Sequence, residues 1–236
     1  LRFGQKGRQQ GQFYSPTDVA VSGDRLYVAD NGNKRVQVFD LGGNFCSSFS
    51  TDVNPLSLAS PWGLAVQRDG RVVVADPDKH SIFLFEADGT LVKQVGGQGQ
   101  GEGKFNKPYF ICVDEEDNII VADTSNHRVQ VFDKNLNFQH KFGQKGIEPQ
   151  DMWGPTGVSV DCEGNVVLSN LGETSDVGGV EHGKKLQVFD PDGTFLSTIS
   201  SDGDKLNWPC GLAVAEDGHV FVADSRDHCI KKYRYM

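Results

Sequence analysis

Positive charge is scarce in this 236-residue chain: 23 Lys and Arg stand against 32 Asp and Glu, for a formal net charge of −9. Taken alone, that balance argues against a polyanionic partner, and DNA is excluded from the expected ligands. Long apolar runs are missing as well. None approaches the ~20 residues of a membrane-spanning helix, and no basic-then-apolar leader opens the sequence. Cysteine is sparse and scattered: Cys46, Cys112, Cys162, Cys210 and Cys229 form no CxxC pair and no zinc spacing. An odd, unpatterned set points to reduced thiols and a cytoplasmic home. Enzyme signatures are absent too. There is no GxSxG elbow, and GQGQGEG at 97–103 fits GxGxxG only loosely, in a linker between strands. No catalytic residue and no cofactor is assigned to this chain.

Glycine, by contrast, is abundant, with 28 residues, and it punctuates a repeat. Five segments align, beginning PTDVAV at Pro16, PWGLAV at Pro61, PYFICV at Pro108, PTGVSV at Pro155 and PCGLAV at Pro209. These prolines are 45, 47, 47 and 54 residues apart, and the fourth unit carries an insertion at 171–183. Each unit reads as short strands rich in β-branched and apolar residues, separated by Gly, Asp and Asn turns. In the third unit the strands are YFICVD, NIIVAD, RVQVFD and NFQHKFG. Four strands per 40–50-residue repeat describe the blade of a β-propeller. The fold class is therefore all-β, one domain over 1–236, with five blades. The fifth unit has only three strands, while FGQKG occurs at both 3–7 and 142–146. Residues 1–4 thus read as one orphan outer strand, expected to complete the fifth blade beside the C-terminal strand and close the ring.

Antiparallel blades place the loops between their second and third strands on the same face as the inter-blade linkers. Four residues after the aspartate of VAD, intact units carry Lys34, His80, His127 and His228, and Lys184 takes this place in the fourth unit. The next position adds Arg35, Arg128 and Lys185. Trp62, Trp153, Trp208 and Tyr109 lie within two residues of a repeat proline, and Lys107 precedes Pro108. Flat hydrophobic anchors among directional donors suit a partner-binding surface. The residues singled out are Lys34, Arg35, Trp62, His80, Lys107, Tyr109, His127, Arg128, Lys184, Lys185, Trp208 and His228. A structural reading competes: the aspartates cap loops, the arginines act as clamps, and the aromatics wedge between blades. His80, His127 and His228 share a position, but in loops beyond the second strand; no zinc centre is expected there. The residue three before each proline is apolar, namely Phe13, Leu58, Phe105, Met152 and Leu206, which fits a plug between blades. The opposite face collects acidic turns such as RDG, EED and EDG, whose composition is what tight turns require.

The P-x-G-[LV]-[AS]-V openings, the VAD strand ends, N-x-[KH]-R-V-Q-V-F-D and the linkers GQFYSP and GEGKFNKP resemble NHL repeats. The chain's ending is similar to the NHL propeller of tripartite-motif RING-type ubiquitin ligases. That resemblance implies a non-catalytic domain that selects a protein substrate or adaptor, with RNA as the alternative ligand. Ligase chemistry, and the zinc it needs, would belong to RING and B-box domains outside this chain. NHL-repeat amidating lyases place histidine just after the blade proline. Thr17, Trp62, Tyr109, Thr156 and Cys210 stand there instead.

Overall fold

The computed structural model describes residues 1–50, 57–146, 148–172, 184–199 and 206–235. Among the described residues nineteen strands form five antiparallel sheets, each built from consecutive strands. Blade one contains β1 (Pro16–Ser22), β2 (Arg25–Asp30), β3 (Arg35–Asp40) and β4 (Phe45–Phe49). Blade two contains β5 (Leu64–Val66), β6 (Val72–Asp76), β7 (Ser81–Phe85) and β8 (Leu91–Gly96). Blade three runs through β9 (Pro108–Val113), β10 (Ile119–Asp123), β11 (Arg128–Phe132) and β12 (Phe138–Phe142). Blade four runs through β13 (Pro155–Val160), β14 (Val166–Asn170), β15 (Leu186–Phe189) and β16 (Phe195–Ile199). Blade five has three strands, β17 (Pro209–Val214), β18 (His219–Asp224) and β19 (Cys229–Arg234).

Period-two alternation explains the stacking. One set of side chains on each central strand packs forward and the other packs back, so blades two, three and four are covered on both faces by their neighbours. Val73, Ala75, Ile82 and Leu84 of blade two meet Phe105, Ile111, Ile119, Val121 and Phe132 of blade three. Equivalent layers join blades one and two, three and four, and four and five. Leu58, Phe105, Met152 and Leu206 are buried in these four layers, one apiece, so the apolar residue three before four of the five prolines is an inter-blade plug, while Phe13 is half-buried against Phe3 and Phe39. The inner strands β1, β5, β9, β13 and β17 surround a central cavity of about 290 Å³.

The expected ring closure is not made. Leu1–Gly4 forms no strand, and β19 pairs with β18 alone. Phe3 instead lies against blade one, with its ring 5.1 Å from Phe39 and 6.4 Å from Phe13. The aromatic pocket of blade one, formed by Phe13 and Phe39, holds the segment instead. Of the insertion, residues 173–183 lie outside the described residues.

Candidate functional site

The face that carries the linkers is organised by the VAD aspartate. Asp30, Asp76, Asp123 and Asp224 are all fully buried, so their carboxylates need partners close by. They find them in the linker that precedes their own blade. The amides of Tyr14, Asn106 and Trp208 donate to Asp30, Asp123 and Asp224 at 2.7–2.8 Å. The amides of Ala59 and Ser60 donate to Asp76. In blade four Asn170 does the same work, its Oδ1 accepting from the Trp153 amide.

Arg35 and Arg128 complete these seams. Each donates Nε to its aspartate at 2.8 Å. Arg35 Nη2 reaches the carbonyls of Gln9 and Gln12, and Arg128 reaches those of Gln100, Gly101 and Lys104. Lys185 plays the same part with Glu148 and Pro149 carbonyls. Its ammonium is held below the ordinary lysine range because burial outweighs the nearby Asp151 charge. Burial pushes Asp123 up against its donors. At the same position in blade five, Trp208, Asn207 and Lys231 overcome burial and hold Asp224 down.

The recurring Lys/His position has a conformational cause. Lys34, His80, His127 and His228 have φ of 58°, 48°, 55° and 52°, the left-handed residue that turns the chain into its third strand. His80 Nδ1 accepts from the Lys107 amide at 3.1 Å, and His127 Nδ1 accepts from the Gly154 amide at 3.0 Å. Each of these imidazoles therefore ties its blade to the next linker. Burial first, and Lys145 second, lower the His127 pKa. Lys34 and His228 are exposed.

The residue after each repeat proline lies at the cavity mouth. Thr17 Oγ1 donates to the carbonyls of Pro61 and Trp62, and Thr156 Oγ1 to that of Pro209, so both fasten neighbouring inner strands. Trp62 and Tyr109 meet each other instead, edge to face at 5.1 Å. Lys107, ion-paired to Asp78 at 2.7 Å, stands beside them. Trp62, His80, Lys107 and Tyr109 therefore form one patch at the seam of blades two and three. Trp208 and His228 lie on blade five, Lys184 and Lys185 on blade four, and Lys34 and Arg35 on blade one; these do not join that patch.

Three further aromatics carry a cation of the chain's own. Lys6 stands over Tyr14 at 5.6 Å, Lys145 over Trp153 at 4.2 Å and Arg226 over Trp208 at 4.1 Å. Lys6, Lys145 and Arg226 are not among the residues the sequence pointed to, although the doubled FGQKG holds two of them eight residues before their rings. At the opposite mouth a second cavity is lined by Arg68, Asp114, Glu115, Asp161 and Glu216. Cys112 faces the central cavity between the mouths, and Cys162 is exposed because it lies in the turn after β13. Among the described residues no three His, Cys, Asp or Glu side chains converge as a metal cluster.

The NHL repeat family matches residues 13–39, 105–132 and 206–233, which are the first three strands of blades one, three and five. The chain is 33% identical over 99 residues to protein brain tumor of Drosophila melanogaster and 30% identical over 91 residues to E3 ubiquitin-protein ligase NHLRC1 of Homo sapiens. These stretches are 40% and 37% of this chain but only 10% and 23% of those proteins. B-box type zinc finger protein ncl-1 of Caenorhabditis elegans is 49% identical over 45 residues, 19% of this chain and 5% of that protein. Among solved structures, a virginiamycin B lyase from Staphylococcus aureus superposes with TM-score 0.67 over 92% of this chain and 69% of its own, at 12% identity. The WD40 propeller of Doa1 does so with TM-score 0.65 over 92% and 63%, also at 12%. At such identities the likeness concerns the fold alone. The chain is thus a propeller of five blades, three of which carry NHL repeats.

Proposed function

We propose that this propeller is the protein-recognition domain of a cytoplasmic ubiquitin ligase of the tripartite-motif NHL kind, binding its substrate or an adaptor without catalysing a reaction itself. The transfer chemistry, with its zinc, belongs on this reading to other domains. The observation that carries it is the Trp62–Tyr109 pair at the cavity mouth. It is a half-buried aromatic anchor, with His80 and Lys107 as polar neighbours, and it has the make-up of an interface hot spot. The likeness to E3 ubiquitin-protein ligase NHLRC1 supports the ligase setting. RNA is the less favoured ligand. Single strands need free aromatic faces and free cations, yet Tyr14, Trp153 and Trp208 already carry a cation. Arg35, Arg128 and Lys185 are spent on backbone carbonyls.

The test is quantitative interaction proteomics on the full-length ligase, wild type against Trp62→Ala/Tyr109→Ala. The double variant is expected to lose its ubiquitinated partners by tenfold or more, with the thermal transition unchanged. RNA retention that falls steeply with salt, in a protein whose protein partners survive the double substitution, would replace this reading with the RNA one.

A further inference from the structure

Two residues after the repeat proline, four blades carry an uncharged residue: Gly63, Phe110, Gly157 and Gly211. Blade one carries Asp18 there. Two of the glycines let neighbouring backbones close up. A Cβ on Gly63 would meet the Tyr109 carbonyl oxygen at 2.5 Å, and one on Gly157 would collide with that of Cys210. Gly211 leaves room, and the Phe110 ring reaches towards it from blade three; a Cβ on Gly211 would stand 3.7 Å from that ring. Phe110 and Asp18 line the central cavity together. At about 290 Å³ it has the volume of a small ligand's pocket. Its wall is largely hydrocarbon, from Val66, Ile111, Val113, Val158 and Leu212, and Asp18 is the only charged side chain among the described residues that line it.

A carboxylate in an apolar wall is unfavourable unless its charge is answered. Other buried acids of this chain have their cation: Arg35 for Asp30, Arg128 for Asp123 and Lys231 for Asp224. Asp18 makes no ion pair among the described residues. One of its oxygens accepts the Val19 amide and the other the Leu64 amide. An ionised carboxylate can accept about four hydrogen bonds, so half of its acceptor capacity and the whole of its charge are left over. Fastening blade one to blade two does not require that charge. Thr156 Oγ1 fastens blade four to blade five through the Pro209 carbonyl, and it is a neutral hydroxyl.

We propose that the central cavity binds an organic ammonium ion on an unbranched apolar chain, with Asp18 as its counter-ion and Phe110 and the aliphatic wall around its hydrocarbon. The ammonium brings hydrogens for the free acceptor positions of Asp18 in charge-assisted bonds, and its chain covers apolar surface that otherwise faces water. The same chemistry is offered by a free amine and by the end of a lysine side chain.

Calorimetric titration of the full-length protein tests this, with n-hexylammonium as the probe and n-hexanol as the same chain without the charge. At pH 7.5 hexylammonium is expected to bind at least about tenfold more tightly than hexanol, and at least about tenfold more weakly to Asp18→Asn than to the wild type. In the wild type its affinity is expected to fall about tenfold at pH 5, because burial raises the Asp18 carboxyl to about 6 and it is then largely neutral. Cys112, the other titratable side chain of the wall, is pushed up by burial and stays uncharged at both pH values. This comparison needs no substitution, so it reads the site even where Asp18→Asn fails to fold. Nα-acetyl-lysine methylamide separates the two sources. Affinity equal to that of n-butylammonium would assign the cavity to a lysine side chain, and its failure to bind where hexylammonium binds would assign it to a free amine. Hexanol binding as tightly as hexylammonium would make the cavity an apolar hole and overturn the proposal. So would an affinity unchanged in Asp18→Asn, or no binding of hexylammonium at millimolar concentration.

Discussion

At the scale of single residues, the chain places acids where backbone amides lack partners. Asp18 is the sharpest case. It stands on the inner strand of blade one, where the other blades have Gly63, Phe110, Gly157 and Gly211. Its carboxylate accepts the Leu64 amide of the next blade and the Val19 amide, both at 2.9 Å. Burial nevertheless dominates, raising its pKa from 3.8 to about 6. The folded protein therefore holds this proton more tightly than the unfolded chain does. Asp18 contributes stability that is fully present below pH 3.8 and is lost as pH rises through about 6, with no further change above. The loss amounts to about 2–3 kcal/mol. Urea unfolding across pH 4 to 7 should show this decline, and Asp18→Asn should remove it. An equally steep decline in the variant would assign the dependence to another group. His127 works in the opposite sense. Its pKa is lowered, so the stability it contributes is present above its ordinary value of 6.5 and is lost as pH falls below it.

At the scale of elements, the linkers deserve the comparison with strands, because they are fixed as firmly. The stretch 97–105 is held by the parallel bridge Gln98–Phe105, by the Phe105 plug and by Arg128, which gathers three of its carbonyls onto one guanidinium beside Asp123. Removing the guanidinium leaves a buried carboxylate with one partner fewer and three carbonyls uncapped. Arg128→Ala is expected to cost about 3–5 kcal/mol, and Arg128→Lys to recover only part, since an ammonium lacks the planar fork. Chemical denaturation measures both; a cost under 1 kcal/mol for the alanine variant would mean that the linker holds without its clamp.

Much of this element was legible beforehand. The prolines, the apolar plug and the VAD aspartate, replaced by Asn170 in blade four, recur at one place in the repeat, so repetition exposed them. The Lys/His position recurs as well. Its left-handed backbone was hidden because His and Lys do not announce a positive φ as Gly does. The segment Leu1–Gly4 was legible as an outer strand but not in its partner. Stacking on Phe39 and pairing with β19 satisfy the same four residues, and only packing in three dimensions decides between them. The Lys145–Trp153 and Arg226–Trp208 contacts join residues eight and eighteen apart that share no strand pairing, so neither periodicity nor turn chemistry points to them.

At the scale of the whole molecule, an arc of repeats draws its stability from intrinsic blade terms and from interfaces between neighbours. Blades two, three and four each have two such interfaces. Blade five has one, and blade one has one plus the Phe3 cover. Burial follows: every residue of β6, β7, β10 and β11 is buried, while β19 buries only Tyr233. Local opening should therefore cost least at the two ends. Hydrogen exchange on the 236-residue chain is expected to protect Ile119–Phe132 and Val72–Phe85 most strongly, with Cys229–Arg234 and Pro16–Ser22 exchanging by far the fastest among the strands. The ranking separates two pictures of the ring. If the five blades formed a closed circle in solution, the end blades would share a fifth interface, and β19 would be as well protected as β11. A protection gradient from the middle outward requires instead that blades one and five share no interface.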